Sequence, residues 1–131
     1  MYPNAFYRVN VKALIRDDNG RILVVKENQD TRSLPGGGLD HGEEAEEGIR
    51  RELKEELGIQ DANIAGINQT RTLELKTKQV WLLWIVYDVS VNAAAFHLGD
   101  GVSDSCYIDP GTLKSSKNVF EQLVYKVAVS S

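Results

Sequence analysis

Glu52, Glu55 and Glu56 are three acids at a spacing that suits cation chemistry. Ala45, Ile49, Leu53 and Leu57 recur every four residues through the same stretch, which is the period of a helix with one apolar stripe. On that helix the three glutamates are neighbours on one face. At ~100° per residue they cover roughly 100° of arc beside the stripe. Glu56 falls at the stripe's edge and is expected to be shielded from water. Carboxylates this close repel one another, and burial raises the cost of ionising them. A divalent cation relieves both problems, and an all-oxygen ligand set favours Mg²⁺, with Mn²⁺ as a substitute.

The glutamates belong to a longer pattern. Gly37 leads to Glu43 after five residues and to Arg51-Glu52 after seven more, and Leu53, Glu55, Glu56, Gly58 and Ile59 follow at fixed offsets. Seven identities and two aliphatic matches would coincide by chance on the order of once in ten million such chains. This run resembles the Nudix box, G-x5-E-x7-R-E-U-x-E-E-x-G-U with U a bulky aliphatic residue. The chain is identified as a member of the Nudix hydrolases, of MutT-like size.

The resemblance implies an α/β fold, an α/β/α sandwich around a mixed β-sheet. It implies Glu52, Glu55 and Glu56 as catalytic and metal-ligating residues, with the Gly36 carbonyl as a further ligand. It also implies an Arg51–Glu43 ion pair that orients the glutamates. The reaction is water attack on a phosphoanhydride of a nucleoside diphosphate derivative, with the base one of these acids or a carboxylate outside the box. Many members add an acid from the loop before the last helix, and Asp104, then Asp100, are the candidates. Asn118 matches the position of a base-reading asparagine in MutT-type members. Each of these three also reads as an ordinary turn or helix-end residue; His41 reads first as a surface or hydrogen-bonding residue, with a catalytic role as the alternative, and His97 is the weaker candidate of the two.

The small chain favours a (d)NTP or oxidised (d)NTP as substrate. ADP-ribose, dinucleoside polyphosphates and other nucleotide sugars are the alternatives, although Thr72 to Lys78 lacks the proline that marks ADP-ribose hydrolases. An RNA 5′-end pyrophosphohydrolase is a second enzyme reading. A non-catalytic nucleotide sensor is a different class, opposed by the intact glutamates. Isopentenyl diphosphate isomerase shares the fold but needs a cysteine well upstream of Cys106, the only one present.

The 131 residues suit one domain, 1–131. A net charge of −4 argues against binding long nucleic acid, which requires a basic surface. The partner expected is therefore a small nucleotide, for a monomer or homodimer. One cysteine excludes an internal disulfide. No basic-then-apolar leader opens the chain, and Val80 to Val86 is too short to span a bilayer, so a cytoplasmic protein without membrane contact is expected.

The rest of the chain must position the acids. Strands are predicted over Tyr7–Ile15 and Arg21–Lys26, joined by a type I′ turn at Asn19-Gly20. In the first, Arg8, Asn10 and Lys12 alternate with apolar neighbours. Glu27 to Arg32 reads as a polar loop, solvated or lining a pocket. A short strand at Ser33-Leu34 ends at Pro35, and Gly36–Gly38 offers backbone without Cβ atoms. The acidic helix should start near Glu43 or Glu44 and end at Leu57 with Gly58 as its cap; Gly48 within it signals close packing. Strands 64–75 and 78–91 follow. Trp81 and Trp84 have opposite parity, so they face opposite sides, with core packing the first role for each and base stacking the second. A short strand at Ser105–Ile108 precedes a last helix through Val119, Leu123 and Val127, capped by Ser115 or Ser116.

Overall fold

The computed structural model describes residues 6–27, 30–92, 96–99 and 101–131. Strand β1 (Tyr7–Leu14) runs parallel to β6 (Val80–Ser90), with Val11 opposite Ile85. On its other edge β1 pairs antiparallel with β4 (Gly36–Gly38), with Lys12 opposite Gly36. Strand β5 (Asn63–Leu75) is antiparallel to β6 and completes the order β4-β1-β6-β5. A second, antiparallel sheet has the order β3-β2-β7, from β3 (Arg32–Ser33), β2 (Ile22–Lys26) and β7 (Asp104–Ile108). The Leu23 N–H donates to the Ile15 carbonyl at 2.9 Å, which joins the two sheets.

Side-chain alternation along the strands divides the interior in two. Val11, Ala13, Leu23 and Val25 bury against Ile49, Leu53 and Leu57 of helix α1 (Ala45–Leu57). Leu14, Ile22, Val24, Leu82 and Val86 bury against Leu123, Val124 and Val127 of helix α2 (Val119–Ser130). The result is a mixed sheet with a helix on each face, the α/β/α sandwich expected.

Helix α1 ends as its sequence requires. Gly58 takes a left-handed φ of 69° and its N–H donates to the Lys54 carbonyl at 3.0 Å. The stripe Ile49, Leu53 and Leu57 is buried as read, with Ala45 packed beside it. The close packing at Gly48 is against the preceding loop: a Cβ there would stand 2.5 Å from Leu39 Cδ1 and 3.0 Å from Glu43 Oε1.

Several local expectations differ. Gly36–Gly38 is a strand, because pairing with β1 outweighs the low strand preference of glycine. The short strand before it is Arg32–Ser33, so Leu34 lies outside it. At the first turn only Gly20 has positive φ (77°), because Asp17 Oδ1 accepts from the Asn19 and Arg21 N–H groups and sets another geometry. Strand β5 is joined to β6 by a 3₁₀ turn, Lys76–Lys78, followed by Gln79 at φ 54°. Trp84 is fully buried on the α2 side, whereas Trp81 packs on Tyr7 with ring centroids 6.0 Å apart. Among the described residues no helix is long and apolar enough to cross a membrane.

The cap of α2 is Asn118, not Ser115 or Ser116. Its Oδ1 accepts from Phe120 N at 2.9 Å and Glu121 N at 3.1 Å, reaching two orphan donors at once. Asn118→Ala should lower unfolding free energy by about 1 kcal/mol in urea titration. Ser116 serves differently, donating to Glu121 Oε1 at 2.7 Å. Glu121 also accepts from the Arg32 N–H and Nε, both at 3.0 Å, which ties α2 to β3. Burial would raise its carboxyl, but the Arg32 and Ser116 hydrogen bonds outweigh that and hold it at about 2. A pKa below the unfolded value of 4.5 contributes stability above that pH and loses it as pH falls toward 2. Glu121→Gln should therefore lower stability at pH 7 by on the order of 3 kcal/mol and flatten the acid limb of a thermal-stability profile between pH 4.5 and 2.

Candidate active site

Arg51 is the hub of the acidic face of α1. Its Nε and Nη2 bond Glu43 Oε2 and Oε1 at 2.8 and 3.0 Å, a two-pronged ion pair between the helix and the loop before it. Nη2 also donates to the Gly38 carbonyl at 3.1 Å. Nη1 is shared by Glu52 at 3.0 Å and Glu55 at 3.1 Å. Glu43 lies before the helix rather than in it, where Oε1 also accepts from the Asp40 N–H at 3.0 Å. The Arg51 hydrogen bonds and the Asp40 N–H together hold the Glu43 carboxyl below its ordinary range.

The three glutamates differ in environment. Glu55 is exposed. Glu52 is largely covered, with its Oε1 only 2.8 Å from the point a Cβ on Gly37 would occupy. Burial raises its pKa, with Arg51 opposing. Glu56 is 8% exposed, and its Oε1 accepts from the Gly36 N–H at 2.8 Å. Burial pushes its carboxyl up to about 7, against the pull of Gly36 N–H and Lys12.

Among the described residues no three His, Cys, Asp or Glu side chains already form a metal cluster. Arg51 meets Glu52 and Glu55, while the Gly36 N–H draws Glu56 toward β4. The donors nevertheless fit a hard divalent cation. They are oxygens only, and the buried Glu56 is held near neutrality by a charge cost that such a cation would remove.

A cavity of about 470 Å³ opens beside the acids, on the α2 side of the sheet. Gly36, Gly37 and Gly38 line it, and Glu56 and Glu52 lie behind Gly36 and Gly37 without lining it themselves. Arg8, Asn10 and Lys12 line one wall, and Leu75, Leu82, Trp84 and Phe120 make an apolar wall. Glu27 and Thr31 place the polar loop after β2 at this cavity.

Lys12 is the residue that sequence reasoning missed. It is 6% exposed, and its Nζ sits 5.0 Å from the Trp84 ring centroid. Burial lowers its pKa, opposed by the fields of Glu27, Glu56 and Glu52. A polar alternation normally marks a solvated strand face. Here Arg8, Asn10 and Lys12 lie on a strand flanked by two others, which the local sequence does not signal.

Other candidates stand apart from the acids. Asp104 is exposed opposite Lys26, with its Oδ1 on the Ser105 N–H, and Asn118 Oδ1 is occupied as the helix cap; neither lines the cavity. Asp100 lies outside the described residues. His41 is exposed in a turn, and His97 N–H donates to the Leu57 carbonyl at 3.0 Å. Cys106 is exposed on β7.

Fold and site together define a Nudix domain, and a model of the NUDIX domain family matches residues 6–124. The chain belongs to the Nudix family. Among curated proteins it is 37% identical over 67 residues to an RNA pyrophosphohydrolase of Saccharophagus degradans, a match covering 48% of this chain and 39% of that protein. A second, from Ruthia magnifica, is 38% identical over 71 residues, covering 53% of this chain and 40% of its own. These matches thus span about two fifths of the relatives' length. Among solved structures, a MutT protein from Methanosarcina mazei superposes with a TM-score of 0.80 at 22% identity, covering 98% of this chain and 96% of that one. A Streptococcus suis ADP-ribose pyrophosphatase gives 0.64 at 24% identity, covering 94% and 91%. At such identities these structures show the shared fold.

Proposed function

We propose that the protein is a metal-dependent pyrophosphohydrolase that cleaves a phosphoanhydride of a nucleoside polyphosphate by water attack. The observation that carries this reading is Glu56. It is a buried carboxyl pushed to about 7, beside Glu52 and set on the N–H of Gly36, a residue that lines a cavity of nucleotide size. Glu52, Glu55 and Glu56 with the Gly36 carbonyl would hold Mg²⁺, or Mn²⁺ in its place. When bound, the cation supplies positive charge to the phosphate oxygens as the bond breaks. Arg51, locked on Glu43, fixes the rotamers of Glu52 and Glu55 before substrate arrives. One carboxylate of the cluster takes the proton of the attacking water. The Gly37–Gly38 backbone lets the diphosphate approach closely, and the half-buried Phe120 offers aromatic surface to a base.

A (d)NTP, unmodified or oxidised, is the first substrate reading. A triphosphate-ended RNA is the second, favoured by the names of the two curated relatives. In that case only the RNA's 5′ end enters the cavity, which the acidic overall charge does not prevent. A panel with Mg²⁺ separates them: dNTPs, 8-oxo-dGTP, ADP-ribose, NADH, Ap4A, UDP-glucose and triphosphorylated RNA, with products analysed to locate the bond cut. Release of pyrophosphate or phosphate from a triphosphate end supports the proposal. Nucleotide binding without turnover of any panel member would identify a sensor instead.

A further inference from the structure

Lys12 is the only buried basic residue among those described. Its Nζ meets neutral oxygens alone: the Leu34 carbonyl at 3.2 Å, Ser33 Oγ at 3.3 Å and the Gly36 carbonyl at 3.5 Å. These are long contacts, and among the described residues no carboxylate lies within ion-pair distance of it. Burying an ammonium without a paired anion is unfavourable, and the Trp84 face offsets only part of that cost. A methionine would fill the same volume without it. The fields of Glu27, Glu56 and Glu52 reach it, but none of the three makes a direct contact, so the ammonium is left without a paired anion.

Its surroundings indicate what completes it. Side chains alternate along β1, so Arg8, Asn10 and Lys12 share one face at intervals of roughly 6.6 Å and line one cavity wall. Lys78 also lines the cavity, and Glu27 is the only acid among the described lining residues. In a chain of net charge −4 this is a locally basic wall. Bare β4 is the partition. Glu52 Oε1 lies 2.8 Å from a would-be Gly37 Cβ, whereas Arg8 Nη2 and Asn10 Oδ1 lie 3.2 and 3.6 Å from that of Gly38. A diphosphate under attack belongs at the carboxylates. The next charged group along the chain then faces Lys12.

We propose that the Lys12 ammonium contacts a phosphoryl oxygen, and that it makes the site select chains of three or more phosphoryl groups over diphosphates. This rests on the phosphoanhydride reading above. A neutral base carbonyl is the other acceptor of matching chemistry, but Arg8 and Lys78 in the same lining favour an anion.

The test compares the parent with Lys12→Met and with Lys12→Gln, which keeps a donor for the turn carbonyls but no charge. Calorimetry with Mg²⁺ measures binding of inorganic tripolyphosphate and pyrophosphate, and kinetics compare ATP, GTP, ADP and GDP. Loss of a charge-assisted contact should weaken tripolyphosphate binding about tenfold or more and raise KM for both triphosphates. Pyrophosphate binding and the diphosphates should change less than about twofold, because Lys12 does not reach them. Equal losses for tripolyphosphate and pyrophosphate would mean that Lys12 only braces the turn, and would overturn the proposal. So would unchanged tripolyphosphate binding with an altered choice between ATP and GTP, which marks a base contact. If the parent binds tripolyphosphate through Lys12 yet hydrolyses nothing, the hydrolase reading falls and this one stands. If the parent hydrolyses triphosphates and both variants keep its preference over diphosphates, this one falls alone.

Discussion

Glu56→Gln should cut Mg²⁺-dependent turnover at least about 10²-fold while making the metal-free protein more stable. The first effect follows from its position, where a neutral amide can neither ligate a hard cation strongly nor accept a proton. The second follows from burial. Desolvation, with Glu52 and Glu27 adding repulsion, lifts the Glu56 carboxyl to about 7 in spite of the Gly36 N–H and Lys12. A carboxyl raised in the folded state contributes stability that is fully present below its unfolded value of 4.5 and lost as pH rises toward 7. In chelator the parent should therefore lose stability across that window, by up to about 3 kcal/mol from this group, and the glutamine variant should not. Lower activity with higher stability is the mark of a residue retained for chemistry rather than for folding. Phosphate release and urea unfolding in EDTA at pH 5 and pH 7.5 read the two effects. A variant turning over within threefold of the parent sinks Glu56 as ligand or base, and a variant less stable at pH 7.5 sinks the account of its burial.

How much of this was legible depended on whether the cause was local. The period of Ala45, Ile49, Leu53 and Leu57 and the Gly58 cap belong to one helix, so the string alone carried them. The same holds for the shielding of Glu56, because that follows from its angle around the helix. Lys12 was illegible because its burial is imposed by β4, β6 and the 33–36 turn, which are distant in sequence. The cap of α2 was misplaced because Ser115, Ser116 and Asn118 all have the right chemistry. In the fold Ser116 Oγ is taken up by Glu121 and by the Asn118 N–H, and Glu121 is itself held by Arg32, 89 residues away. Net charge speaks only to the surface as a whole and leaves a local basic pocket open. An overall −4 averages away a basic cavity wall that a single phosphorylated end would meet.

Gly36→Ala should destabilise the fold by at least about 3 kcal/mol, because two separate costs fall on one methyl group. The backbone at Gly36 has φ 134°, which side chains rarely adopt. A Cβ there would also stand 1.9 Å from the Val11 carbonyl oxygen and 2.9 Å from Lys12 Cα. Both neighbours are backbone of β1, locked between β4 and β6, so neither can swing aside as a side chain would. Relief must come from β4 moving outward, which pulls the Gly36 N–H off Glu56 and its carbonyl off Lys12. Activity should then fall together with stability, in contrast to Glu56→Gln. Gly42→Ala separates the two costs, since Gly42 has φ 78° and nothing within 4 Å of its would-be Cβ. It should cost only the ~1 kcal/mol of a left-handed backbone. Unfolding free energies of the two variants from urea titration that lie within about 1 kcal/mol of each other would show that contact with β1 is not what demands glycine at 36. A wide gap would mean that the strand register beneath the acids, and not freedom to approach a ligand alone, fixes the first residue of β4.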